Sequence, residues 1–163
     1  MSLVATKFEC THKQAVKRIA AWLLNTKRYP VVMAERVCVN VSEQPDVIGW
    51  RGNGHSILVE CKVSRSDFHA DKDKAFRKFE EFGVGELRYY AAPRGVLTAD
   101  DLPDGWGLLE IHEHRIMERI QPAPKAAQKQ AEIAMLVAAM RRLEMAATMF
   151  VRHDEDDAAK DGA

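Results

Sequence analysis

A chain of 163 residues, 47% of them hydrophobic and 29% charged, has the length of one domain and enough apolar material for one core. Its 24 basic side chains balance 24 acidic ones, which excludes a polybasic nucleic-acid coat but not a protein whose basic groups gather on one face. Cys10, Cys38 and Cys61 form no CxxC pair, so a zinc knuckle and a disulfide framework are excluded as well. No apolar run approaches the roughly 20 residues of a membrane span, and the first residues lack a signal-peptide core. A cytoplasmic protein with no membrane partner is expected.

Taken in chain order, Thr11 and Gln14 make a capping-box pattern, and Val16, Ile19, Ala20, Leu23 and Leu24 recur at helical spacing as far as Asn25. Residues 31–41 are valine-rich without a helical stripe and predict a strand, bent around 34–36. Residues 45–50 predict a short strand entered through a proline, and Gly52-Asn53-Gly54 a turn. A strong strand follows over 56–63, then a helix over 66–82 that stops at Gly83. Residues 87–92 form the next strand, with one of Tyr89 and Tyr90 in the core and the other outward; 100–105 is a loop, and 107–111 with 115–120 a hairpin.

Residues 122–125 read as a Pro-rich linker, and 126–152 as an amphipathic helix whose stripe is Ile133, Leu136, Met140, Leu143, Ala147 and Phe150. That stripe offers a surface through which two copies can pair as a homodimer. Residues 153–163 form an acidic, flexible tail. The order helix, three strands, helix, strand predicts an α/β fold, an αβββαβ core with a mixed central sheet and a C-terminal helix.

The chemistry concentrates at Pro45-Asp46 and Glu60-Cys61-Lys62. Strand alternation sends Glu60 and Lys62 to one face and Cys61 to the other, with Ile57, Val59 and Val63. A two-residue Asn53-Gly54 turn would pair Asp46 with Cys61. A three-residue loop over 52–54, with Gly54 in the left-handed position, pairs Arg51 with His55 and sets Asp46 opposite Glu60; this register is the expected one. Two opposed carboxylates repel unless a cation lies between them. Asp46, Glu60 and the Cys61 backbone carbonyl are hard oxygen donors suited to Mg²⁺ or Mn²⁺. Such an ion acidifies a bound water, and Lys62 can steady charge on a phosphate, so the chemistry expected is phosphodiester hydrolysis.

With the helix and strand that precede it, the pattern P-D, fourteen residues, E-x-K resembles the PD-(D/E)xK nuclease superfamily, which includes restriction enzymes, archaeal-type Holliday junction resolvases and VRR-type nucleases. The continuation from Lys62 to Phe68, with Asp71 and Lys74, is similar to small phage and bacterial members near the MmcB-type DNA-repair proteins. The resemblance covers residues 12–120, within a nuclease-like domain of 1–121, and implies a restriction-endonuclease-like fold and a Mg²⁺- or Mn²⁺-dependent deoxyribonuclease. It makes Asp46 and Glu60 metal ligands, Lys62 the catalytic lysine, and Glu35 the additional upstream acid, with Glu9, just before the expected start of the first helix, the alternative. It also makes Ser64, Arg65, Lys72, Lys74 and Lys78 candidates for DNA phosphate contacts. The rival expectation is a non-catalytic DNA-binding or protein-interaction module that retains the nuclease fold, favoured by net neutrality and by Asp67, Asp71 and Asp73 among the basic residues.

Overall fold

The structure, a computed structural model, describes residues 8–34, 45–71, 83–142 and 148–151. Helix α1 (His12–Asn25) begins at the expected capping box: the Gln14 amide donates to Thr11 Oγ1 at 3.2 Å, and the Thr11 amide to the Gln14 side chain at 2.9 Å. Strands β1 (Val31–Ala34), β2 (Val47–Trp50) and β3 (Ser56–Cys61) follow. Next come helix α2 (Arg65–Asp71), strand β4 (Leu87–Pro93), a 3₁₀ turn (Ala99–Asp101), and strands β5 (Gly107–Ile111) and β6 (Ile116–Ile120). Helix α3 (Lys129–Arg141) and strand β7 (Thr148–Val151) close the chain. The remainders of the expected bent strand and second helix, at 35–41 and 72–82, lie outside the described residues, as does the expected tail at 153–163.

The seven strands form one mixed sheet in the order β6-β5-β4-β3-β2-β1-β7. The β3–β4 and β4–β5 pairs are parallel, and the β5–β6 pair makes the expected antiparallel hairpin. The α/β class with a mixed sheet is therefore as the sequence order implies.

Both faces are covered, which is why the central strands are apolar throughout rather than alternating. On one face α1 sets Ala15, Val16, Ile19, Ala20 and Leu23 against Val47, Ile57, Val59, Cys61, Tyr89 and Leu109. On the other, Phe68 of α2 and Met135 and Ala139 of α3 pack with Ile48, Trp50, Leu58, Tyr90 and Trp106. Tyr90 stacks on Trp106 at 4.7 Å and meets Phe68 edge-on at 5.0 Å. Tyr89 and Tyr90 are thus both buried, on opposite faces, and the expectation that one of them points outward is corrected.

The C-terminal region departs from expectation. The helix spans Lys129–Arg141 rather than 126–152, and Phe150 belongs to β7, antiparallel to β1 with Phe150 opposite Val32. Within the expected apolar stripe Leu136 packs partly buried against the core, but Ile133 is 59% exposed and Met140 66%, and it is Glu132, Met135 and Ala139 that are buried. A polar pin sets this rotation. The Glu132 carboxylate accepts from Trp50 Nε1 (3.0 Å), Ser56 Oγ (2.7 Å), the Gly85 amide (2.8 Å) and Lys129 Nζ (3.1 Å). Residues 122–125 are likewise tied down: the Ala123 amide donates to the Gly105 carbonyl at 3.0 Å and the Lys125 amide to the Glu86 carbonyl at 2.8 Å.

Candidate active site

The β2–β3 connection has the three-residue form. The Arg51 amide donates to the His55 carbonyl at 2.9 Å, the Gly54 amide returns to the Arg51 carbonyl at 2.9 Å, and Gly54 lies at φ 85°, where a side chain would be strained. The resulting register pairs Val47 with Val59, and one further step sets Asp46 opposite Glu60. In an antiparallel ladder, residue pairs alternate between hydrogen-bonded and open. With Arg51 and His55 bonded, the bonded pairs recur at 49/57, 47/59 and 45/61. Residue 45 is proline and has no N–H to give the Cys61 carbonyl. On the other side of that pair, the Cys61 amide donates to Asp46 Oδ2 at 2.8 Å, so the aspartate completes the ladder with its side chain.

Glu60 and Lys62 lie at the C-terminal end of β3 and are 2% and 6% exposed. Lys62 Nζ stands 3.8 Å from Glu60 Oε2, and the Lys62 amide continues the parallel pairing by donating to the Ala91 carbonyl at 2.9 Å. Burial pushes the Cys61 thiol well above its ordinary pKa, and the charges of Asp46 and Glu60 push it further. Both carboxylates therefore flank Cys61, and its backbone carbonyl rather than its sulfur is the donor to consider. Asp46, Glu60 and that carbonyl are an all-oxygen set suited to a hard divalent cation. Among the described residues no three His, Cys, Asp or Glu side chains form a metal-holding group. Glu35, the additional acid that the resemblance implies, lies outside the described residues.

No protein-family model and no curated protein matches this chain. Among solved structures it is similar to the SPO1766 protein of unknown function from Silicibacter pomeroyi, with a TM-score of 0.55 and 20% identity over 85% of this chain and 97% of that one. Identity that low speaks to the fold alone.

The other expected site residues divide. Ser64 caps α2: its Oγ accepts the Asp67 amide at 3.1 Å, while Asp67 Oδ2 accepts the Val63 amide at 3.3 Å. Arg65 is engaged within the protein, with Nη1 and Nη2 on the Asp101 carboxylate at 3.0 and 2.7 Å and Nη1 also on the Val96 carbonyl at 3.2 Å. That fork, together with bonds from Thr98, holds the Asp101 carboxyl far below the ordinary aspartate range. Lys72, Lys74 and Lys78 lie outside the described residues, and Glu9 is exposed just ahead of α1.

Sequence reasoning did not assign His12. It opens α1, and its Nε2 stands 3.2 Å from Asp46 Oδ2. The available signal was its place directly after the N-cap, on a helix that must cover the same strands.

Proposed function

We propose that the chain is a metal-dependent deoxyribonuclease that hydrolyses phosphodiester bonds, acting in the cytoplasm in DNA repair, recombination or phage DNA processing. The observation that carries this reading is the β2–β3 register, which sets Asp46 opposite Glu60 at the end of the strand that also presents Lys62. Support comes from the resemblance of this motif to the PD-(D/E)xK pattern, and from the place of the residues at the carboxyl end of a strand paired in parallel, where open α/β sheets commonly hold ligands.

Asp46, Glu60 and the Cys61 carbonyl would hold Mg²⁺ or Mn²⁺. When bound, the ion acidifies a water and offsets charge on the phosphate. Asp46 is oriented for its part by the Cys61 amide and by His12. The Lys62 ammonium, kept beside Glu60 and away from bulk solvent, lends positive charge to the phosphate oxygens as water adds to phosphorus and the ester bond to the leaving alkoxide breaks. The apolar cluster of Leu58, Phe68 and Tyr90 on this face of the sheet lowers the local dielectric and strengthens that interaction.

Asp46→Ala and Lys62→Ala should each abolish Mn²⁺-dependent cleavage of plasmid, single-stranded and branched DNA while leaving the circular dichroism spectrum unchanged. Cleavage at the native rate by both variants would refute the reading. The Arg65–Asp101 pair favours a second reading, a DNA-binding module without catalysis, because it occupies a side chain expected to reach phosphate. DNA binding by the native chain without cleavage in either metal would select it.

A further inference from the structure

Arg94 stands one residue past the end of β4, the strand that pairs in parallel with β3. The register sets Glu60 beside Tyr90 and Cys61 beside Ala91, and the Lys62 amide extends it by donating to the Ala91 carbonyl. Two residues further along the same edge, Arg94 lies about 8 Å from Lys62 between Cα atoms, given a strand spacing of ~4.8 Å and a rise of ~3.3 Å per residue. Alternation gives it the parity of Tyr90 and Ala92, which belong to the face of the sheet that carries Glu60 and Lys62.

A fixed turn mounts this residue. The Arg94 amide donates to the Ile111 carbonyl at 3.3 Å, and the Val96 amide closes the turn on the Pro93 carbonyl at 3.1 Å. Gly95, at φ 79°, takes the left-handed third position that such a turn requires. The backbone under Arg94 is therefore held on both sides while its side chain is exposed.

Other arginines are committed within the protein. Arg18 Nη2 donates to the His112 carbonyl, Arg51 lies over the Tyr29 ring, Arg65 clasps Asp101, and Arg119 donates to Glu110. Arg94 enters no ion pair among the described residues. Of the acids nearest in sequence, Asp101 and Glu110 are taken by those arginines, and Asp100 is exposed on the 3₁₀ turn without pairing to Arg94. An uncommitted guanidinium on fixed backbone offers its donors as a planar fork, the shape that matches a phosphate.

Resting on the nuclease reading, we propose that Arg94 binds the phosphate next to the one cleaved, so that the DNA strand crosses the carboxyl ends of β3 and β4. It is a substrate-binding residue, with Lys62 left to the reacting phosphate.

The test measures binding of a fluorescein-labelled DNA duplex to the full chain by anisotropy across a series of salt concentrations in Ca²⁺, and cleavage of the same duplex in Mn²⁺. Arg94→Gln should weaken binding about tenfold, the loss of one charge-assisted contact, and reduce the slope of log Kd against log salt by about 0.9. It should raise KM about tenfold and change kcat less than about twofold. Arg94→Lys, which keeps the charge, should restore the salt slope and part of the affinity. Undiminished affinity and slope in folded Arg94→Gln, or a slope in Arg94→Lys as low as in Arg94→Gln, would overturn the assignment, and native cleavage that is lost in Asp46→Ala would then leave the nuclease reading standing. A native chain that neither binds nor cuts the duplex contradicts that reading and the Arg94 contact with it.

Discussion

At the scale of the residue, two buried polar groups that carry no catalytic role hold most structural consequence. Glu132 is 2% exposed and takes four donors from three separate parts of the chain. Removing it strands the Trp50 indole, the Ser56 hydroxyl and the Gly85 amide in the interior, so Glu132→Ala should lose about 3–5 kcal/mol of stability, read from urea unfolding. Tyr89 donates to Glu118 across β5, and Glu118 also accepts from Lys27 at 2.8 Å. Burial, followed by the bond to Glu118 and its charge, pushes the Tyr89 hydroxyl far above the ordinary tyrosine range. A pKa raised on folding stabilises fully below the unfolded value of ~10 and is lost as pH rises beyond it. Stability should therefore fall steeply above pH ~10 in the native protein and less steeply in Tyr89→Phe, as thermal unfolding across alkaline pH will measure. None of this was legible beforehand, because Glu132 stands beside an apolar stripe and its partners come from residues 50, 56 and 85.

At the scale of the element, the hairpin was legible and the C-terminal region was not. Gly54 demands a left-handed turn position, and the alternation of 56–63 then fixes which side chains face Asp46; both signals are local. The capping box of α1 is local too, and its helix ends at Asn25 as the spacing predicts. The sequence around Phe150, by contrast, continues a helical period, and only pairing with β1 makes it a strand; tertiary contact overrides local preference there. It follows that the C-terminal elements are integral to the sheet. A chain ending at Pro124 removes Met135 and Ala139 from the core, strips the Glu132 pin and leaves β1 as an edge. It should lose cooperative urea unfolding, where a detachable helix would have left the unfolding transition intact.

At the scale of the whole molecule, a sheet covered on both faces leaves the ends of its strands as the places where chemistry can reach solvent. β3 runs between two such places, with His55 and Ser56 lining a cleft at one end and Glu60, at the other, in the register position opposite Asp46. The α/β order was readable because β1 to β5 are short, apolar for the most part and set off by nearby glycine or proline. The second layer of helices was readable only in part, since α3 turns a charged residue inward. No helix among the described residues is long and apolar enough to cross a membrane. The metal site is tested most directly by anomalous diffraction at the manganese edge from crystals of the full chain soaked in Mn²⁺. A single peak between the Asp46 and Glu60 carboxylates, within bonding distance of the Cys61 carbonyl and lost in Asp46→Ala, is the expected result. Crystals that hold Mn²⁺ elsewhere and none between those two carboxylates would contradict it.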